Sequence, residues 1–291
     1  MHSGRKVGLV LKPAPCDTGV VFTVNTALGR ERIVPRPDRV VSTGLATTLG
    51  VGDVRISTIE HLMAALVGLE IDNVYVEVDG TELPILDGSA SVYVYLIRSA
   101  GIKFLDKSKF IAKVRRPVKF ESDGKYVSAK PYQGLKIDYK IFFEHPKIGV
   151  QNYSFESSPA AFESLIARAR TFGFLKDVEW LQRNGLALGG TLENAVVFDE
   201  YGVLNPEGLR FRDEMVRHKV LDFMGDIAVG THRLYGHFEV CCSGHELNNK
   251  FLRHIFAHAD EYLEFTCLGA EPRRSRGRDF DLCPSTVPAW A

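Results

Sequence analysis

The chain has 291 residues, enough for two domains or one large one at roughly 100–200 residues per domain. Hydrophobic residues make up 45% and charged residues 25%, which permits a buried core and argues against global disorder. Lysine plus arginine (36) equals aspartate plus glutamate (36), so no basic excess exists to neutralise phosphates, and nucleic acid is not an expected partner.

Met1–Lys6 lacks the apolar core of a signal peptide, and no apolar run approaches the ~20 residues that span a bilayer. Val7, Leu9 and Leu11 alternate as in a strand, ended by Lys12-Pro13-Ala14-Pro15, and Val20 to Val24 reads as a second strand. From Ser57 the apolar residues Ile59, Leu62, Met63, Leu66 and Val67 recur at helical spacing, with Gly68 as a stop. Val74–Val78 is a strand by its β-branched content. A turn at Leu86-Asp87-Gly88-Ser89 and a short helix over Val92–Ile97 follow, and Asp106–Lys109 reads as a linker.

The second half predicts strands at Ile111–Val114, Tyr126–Ala129 and Leu135–Phe143. Helices follow at Pro159–Arg168 and near Val178–Gln182, then a strand at Ala195–Phe198. A longer helix starts near Asp213, and the strand Phe238–Cys241 precedes a helix over Leu247–Ala257. The order predicts an α+β fold of two similar domains, residues 1–105 and 111–268, with a linker at 106–110. Residues 269–291, rich in arginine, are expected to be disordered. The five cysteines include no C-x-x-C pair, so a reduced, cytoplasmic compartment is expected rather than a disulfide framework or a thiolate zinc site.

Four segments can carry chemistry. In His218-Lys219-Val220-Leu221-Asp222 the imidazole and carboxylate stand one helical turn apart, and Asp226 continues the stripe. Such a pair can hold a metal ion, or it can be an ordinary helix salt pair. In Ser57-Thr58-Ile59-Glu60-His61, Glu60 and His61 can supply a general base and a further ligand. Ser57-x-x-Glu60 is also a capping box, and on these residues alone capping is the stronger reading of Glu60. Ser243-Gly244-His245 places a histidine on a glycine-containing turn, able to protonate a leaving group or simply exposed. Arg170-Thr171-Phe172-Gly173-Phe174 offers a hydroxyl for a developing oxyanion and apolar lining, against the plainer reading of core aromatics beside a turn. His254 and His258 form another i, i+4 pair, but no glutamate follows His254 to complete an H-E-x-x-H pattern.

Taken together and in order, S-T-I-E-H, R-T-F-G-F, V-R-H-K-V-L-D-F-M-G-D and S-G-H-E-L-N-N-K resemble the UDP-3-O-acyl-N-acetylglucosamine deacetylases of lipid A biosynthesis. D-G-S-A, F-x-H-P, L-x-L-G-G and L-N-P-E-G-L-R-F-x-D-E extend the resemblance from about Gly8 to the last helix. It implies a Zn2+ held by His61, His218 and Asp222, Glu60 as general base, and His245, steadied by Asp226, beside the leaving amine, with the final proton coming from either His245 or Glu60. Thr171 corresponds to an oxyanion-side hydroxyl, Phe172 and Lys219 to substrate contacts, and His145 to the approach of the nucleotide. An acyl passage touching Val178, Ala187 and Thr191 is implied, with the site where the two domains meet. The implied substrate is UDP-3-O-acyl-N-acetylglucosamine; a monomer with peripheral contact to the inner membrane is expected. The alternatives are a zinc amidase for another amphiphilic substrate and a non-catalytic binding descendant. Two departures stand out. The segment before Val7 is shorter than the family's opening strand, which predicts an unpaired sheet edge. Cys242 stands where some members carry a basic residue.

Overall fold

The computed structural model describes residues 1–26 and 29–268; the expected disordered tail over 269–291 lies outside the described residues. The architecture is mixed α+β, as the order of elements predicts. In the first part, β1 (Leu9–Pro13), β2 (Val20–Thr26), β3 (Gly29–Ile33) and β7 (Val74–Val78) form a four-stranded sheet in the order β1-β7-β2-β3. β7 runs antiparallel to β1 and parallel to β2, and its Val74, Val76 and Val78 point into the core while Tyr75 and Glu77 do not. β1 and β3 are the edges. Before β1 the chain folds back, and His2 and Ser3 donate their backbone N–H groups to the Glu82 carboxylate.

A small antiparallel sheet of β4 (Val40–Ser42), β5 (Thr48–Val51) and β6 (Val54–Ile56) leads into α1 (Glu60–Gly68). The reversal between β6 and α1 is made at Thr58, which adopts φ 59°. Ser57 on one side of it is tied to the neighbouring chain by Ser57 N–H to Thr81 C=O and Leu83 N–H to Ser57 C=O, both 2.9 Å. All of α1 except Val67 is buried, so this is a core helix rather than an amphipathic surface one. α2 (Ser91–Ala100) extends the expected Val92–Ile97 by one residue before and three after.

The seven-stranded sheet draws on residues 110–267. Its members are β8 (Phe110–Val114), β9 (Val118–Ser122), β10 (Lys125–Lys130), β11 (Leu135–Phe143), β12 (Gly149–Glu156), β15 (Arg233–Cys241) and β16 (Leu263–Cys267). β15 is its spine, parallel to β11, antiparallel to β10, and paired through its first residues, Arg233–Tyr235, in parallel with Ile111–Lys113 of β8. Strict alternation buries Leu234, Phe238 and Val240. The long helix expected over Pro159–Arg168 is instead one α turn, α3 (Pro159–Ala161), capped by Ser158 and continued as a wider π turn over Phe162–Ile166. β13 (Phe172–Phe174) and β14 (Val196–Phe198) form a parallel pair, and the excursion between them carries α4 (Leu175–Arg183). α5 (Glu214–Ile227), α6 (His245–Ala257) and the short α7 (Ala259–Tyr262) complete the chain, α6 packing against β9 and β10.

The crossing of α1 and α5 positions the site. A Cβ at Gly225 on α5 would lie 2.0 Å from the Glu60 carbonyl oxygen on α1, so the two backbones meet where only glycine fits. That contact brings residues 60 and 61 of one segment against residues 218–226 of another. Phe22, Ile33, Leu62, Ala65, Met215 and Leu221 belong to one continuous buried cluster around it.

Candidate functional site

His218 and Asp222 lie one turn apart on α5, and His61 enters from α1. The Nε2 atoms of His218 and His61 stand 3.2 and 3.7 Å from the same oxygen, Asp222 Oδ1. The two imidazole rings are nearly perpendicular, with centroids 5.0 Å apart. One ligand atom from each residue can be chosen so that all three lie within 4.8 Å of one another, and all three side chains are buried. His218 Nδ1–H donates to the Ala169 carbonyl at 3.0 Å, which orients the ring and turns Nε2 toward Asp222. His61 Nδ1 is buried without a hydrogen-bond partner among the described residues.

The protonation states suit a cation. Burial, with the neighbouring His218, presses the His61 pKa down to about 3, so the ring is neutral. Burial would raise the Asp222 pKa, but His218 and Lys219 hold it well below the usual carboxylate range. Lys219 Nζ donates to Asp222 Oδ2 at 2.8 Å, which leaves Oδ1 toward the histidines. Two imidazoles and one carboxylate, with no fourth protein ligand among the described residues, make a donor set that a divalent cation such as zinc can take. The residues present fit that ion.

Glu60 is not engaged as a cap. Ile59 occupies the N-cap position with no side-chain cap bond, and Ser57 Oγ pairs with Thr48 Oγ1 at 2.9 Å. The Glu60 carboxylate instead accepts the Thr47 backbone N–H at 3.0 Å. Burial lifts its pKa to about 7; the charge of His245 opposes this, and Asp226 and Asp222 add to it.

His245 is not on an exposed turn either. It is the first residue of α6, largely buried, with Nδ1 2.8 Å from Asp226 Oδ2. Burial lowers its pKa, but the charge and hydrogen bond of Asp226, with Asp222 and Glu60 behind them, carry it up to about 9. Asp226 is a hub: it also accepts from Asn248 Nδ2 at 2.7 Å and from Thr47 Oγ1 at 2.6 Å. Asn248 lies within the H-E-L-N-N-K motif, three residues after His245, and that i, i+3 spacing is a signal that could have found it once the helix is taken to start at His245. Thr47 belongs to a segment without a periodic signal and could not have been found from the sequence.

The remaining expected residues divide. Thr171 is held at the margin by its N–H to Gly88 C=O (2.7 Å) and by Val196 N–H to its own carbonyl (2.8 Å). The Phe172 ring stands edge-on to His218, with centroids 6.4 Å apart, and Lys219 Nζ lies 5.9 Å above it. His145 joins the same aromatic run through Phe174 and Phe198. Both its nitrogens are used internally, Nε2–H by the Asp199 carbonyl and Nδ1 by Lys147 N–H, so neither is free for a ligand here. Val178, Ala187 and Thr191 lie on the excursion between β13 and β14, Val178 and Ala187 half-buried and Thr191 exposed. No contact joins them to His61, His218 or Asp222. The His254 and His258 rings meet at a tilt of 43°, centroids 4.7 Å apart, and make no metal group among the described residues. Arg170, buried beside Thr171, binds Glu214 on the first turn of α5 through Nε at 2.9 Å.

Comparison with known proteins finds relatives along nearly the whole chain. Residues 1–257 match the family described as UDP-3-O-acyl N-acetylglycosamine deacetylase. A protein of Oleidesulfovibrio alaskensis named UDP-3-O-acyl-N-acetylglucosamine deacetylase is 50% identical over 291 residues, covering 100% of this chain and 95% of that protein. Its namesake in Nitratidesulfovibrio vulgaris is 54% identical over 264 residues, 91% of this chain and 85% of that protein. A third, from Lawsonia intracellularis, is 50% identical over 255 residues, 88% and 84% respectively.

Proposed function

Because the chain belongs to the UDP-3-O-acyl-N-acetylglucosamine deacetylase family, we propose that it hydrolyses the N-acetyl group of UDP-3-O-acyl-N-acetylglucosamine, releasing acetate and the free amine. The observation that carries this reading is the convergence of His61 and His218 on Asp222 Oδ1, with the Glu60 carboxylate from the adjacent position of α1. His61, His218 and Asp222 would hold Zn2+, and the ion, when bound, would polarise the amide carbonyl and acidify a water molecule.

Glu60 takes the proton of the attacking water, its raised pKa making the carboxylate a stronger base than an exposed one. His245, kept as the imidazolium by Asp226, stabilises negative charge developing on the carbonyl oxygen and supplies a proton to the departing nitrogen. Lys219 adds positive charge beside Asp222. On this reading Thr171 and Phe172 would border the reacting group and Val178, Ala187 and Thr191 would lie along the acyl chain, while His145, both of whose ring nitrogens are bonded within the protein, would meet the nucleotide without a hydrogen bond of its own. Cys16, Cys241 and Cys242 are free thiols, which supports a reducing, cytoplasmic compartment. Among the described residues no helix is long and apolar enough to cross a membrane.

The test is release of free amine by the zinc-loaded protein and its Glu60→Ala variant. Loss of at least about a hundredfold in kcat is expected; wild-type turnover would remove Glu60 from the role. A substrate without its 3-O-acyl chain should turn over more slowly; equal rates would favour a zinc amidase of different specificity.

A further inference from the structure

We propose that Thr47 is a positioning residue that locks the base Glu60 and the acid pair His245–Asp226 into one rigid unit. The proposal rests on the roles assigned to Glu60 and His245 above. Among the described residues, Thr47 alone hydrogen-bonds to both carboxylates. Its backbone N–H donates to Glu60 Oε2 at 3.0 Å, and its hydroxyl donates to Asp226 Oδ1 at 2.6 Å. Its carbonyl also faces the Ile59 N–H at 3.5 Å, at the entrance to α1. The side chain is buried, so water does not replace either bond freely.

Each bond has a distinct consequence. A carboxylate with one oxygen held by an N–H presents the other oxygen in a fixed direction, which is what a general base needs to meet a water molecule. Asp226 has two oxygens and three side chains donating to them. Asn248 and His245 Nδ1 make their shorter contacts to Oδ2, at 2.7 and 2.8 Å, and Oδ1 receives Thr47 at 2.6 Å against 3.1 Å from His245. Without the Thr47 hydroxyl, Oδ1 keeps only the longer contact and the carboxylate is free to turn about its Cβ–Cγ bond. The His245 ring turns with it. Base and acid approach from different segments, residues 60 and 245, and Thr47 is the small group that sets their separation. A hydroxyl and an N–H on one residue do this without adding charge to a site that already holds Glu60, Asp222 and Asp226.

The experiment compares Thr47→Val, which keeps the shape and removes the hydroxyl, with Thr47→Ser, which keeps the hydroxyl. Kinetics are measured on the zinc-loaded full chain with UDP-3-O-acyl-N-acetylglucosamine. Thr47→Val should lower kcat roughly tenfold, the size of one hydrogen bond to a charged group, with KM within about twofold. Thr47→Ser should recover most of the loss. In a His245→Ala background Thr47→Val should have almost no further effect, because a positioning residue has nothing left to position. Three results would overturn the proposal: unchanged kcat in Thr47→Val, a Thr47→Ser variant as slow as Thr47→Val, or full additivity with His245→Ala. Should Thr47→Val fail to fold, the Thr47→Ala and Thr47→Ser pair gives the same comparison. A Glu60→Ala protein with wild-type turnover would sink the functional reading itself, whereas an inactive Glu60→Ala beside an unaffected Thr47→Val would sink only the role of Thr47.

Discussion

Replacing Glu214 by glutamine should be among the most damaging isosteric changes in this protein. Glu214 is completely buried and Arg170 is 1% exposed, so the pair has no solvent to fall back on. Glu214 Oε1 accepts from the backbone N–H of Arg170 (3.0 Å) and its Nε (2.9 Å), and Oε2 accepts from Arg170 Nη2 (3.2 Å) and Arg210 N–H (2.6 Å). A glutamine can keep two of these four bonds; its amide nitrogen then points hydrogens at two donors. Removing one partner of a buried pair costs about 3–5 kcal/mol because the other charge stays behind. The lower end applies, since Arg170 keeps Glu207 (2.5 Å) and the Gly208 carbonyl (2.7 Å). At about 2–4 °C per kcal/mol this predicts a fall in Tm of roughly 6–12 °C. Arg170 follows Ala169, whose carbonyl orients His218, so zinc affinity should fall with stability. The assay is calorimetry on Glu214→Gln, Arg170→Met and the double variant, with zinc affinity measured alongside. The double variant should be more stable than the sum of the single losses predicts by at least ~2 kcal/mol. A Glu214→Gln loss under ~1 kcal/mol, or strict additivity, would refute the reasoning.

Gly225→Ala should prevent α1 and α5 from meeting, costing more than the ~1–3 kcal/mol usual for overpacking because its neighbour is backbone; unchanged Tm and zinc content would contradict the crossing. Chelation should abolish turnover and added Zn2+ should restore it, while residual activity in metal-free protein would count against the His61–His218–Asp222 site. The pH profile of kcat/KM should be a bell: the rate rises with pH as Glu60 loses its proton and falls as His245 loses its own. The cation-free values of about 7 and about 9 set upper bounds, since a bound dication draws both down, and an unchanged alkaline limb in His245→Gln would be inconsistent with this assignment. In cation-free protein the raised His245 pKa contributes stability that is full below 6.5 and lost as pH rises through about 9, a dependence His245→Gln should flatten in urea titrations.

Much of this can be read from residue patterns, for reasons that differ by segment. The strands Val74–Val78 and Leu135–Phe143 match their expected bounds because alternation there is long and backed by β-branched or aromatic residues. β3 is invisible to such patterns: Gly29-Arg30-Glu31-Arg32-Ile33 is a polar edge strand with one buried side chain, held by pairing rather than by burial. β4 to β6 have three or four residues each, too few for a period. The His218–Asp222 spacing survives because helical geometry is local. Glu60 shows the reverse, since a capping box and a catalytic carboxylate look alike until Thr47, thirteen residues away, is seen to occupy it. His245 reads as a turn residue because Ser243-Gly244 precedes it, whereas α6 starts at His245 itself and its ring faces Asp226.

Thr58, at φ 59°, holds a β-branched side chain in a conformation where glycine would be relaxed, two residues ahead of Glu60. The molecule thus keeps a local distortion on the order of 1–2 kcal/mol at the doorway of α1. Thr58→Gly would relieve it, but would also remove a buried side chain whose hydroxyl lies 3.4 Å from Glu82 Oε1 and would loosen the entry angle of the helix that carries residues 60 and 61. The strained backbone and its side-chain anchor are thus set against each other at one residue, and whichever is given up, the approach to residues 60 and 61 changes with it.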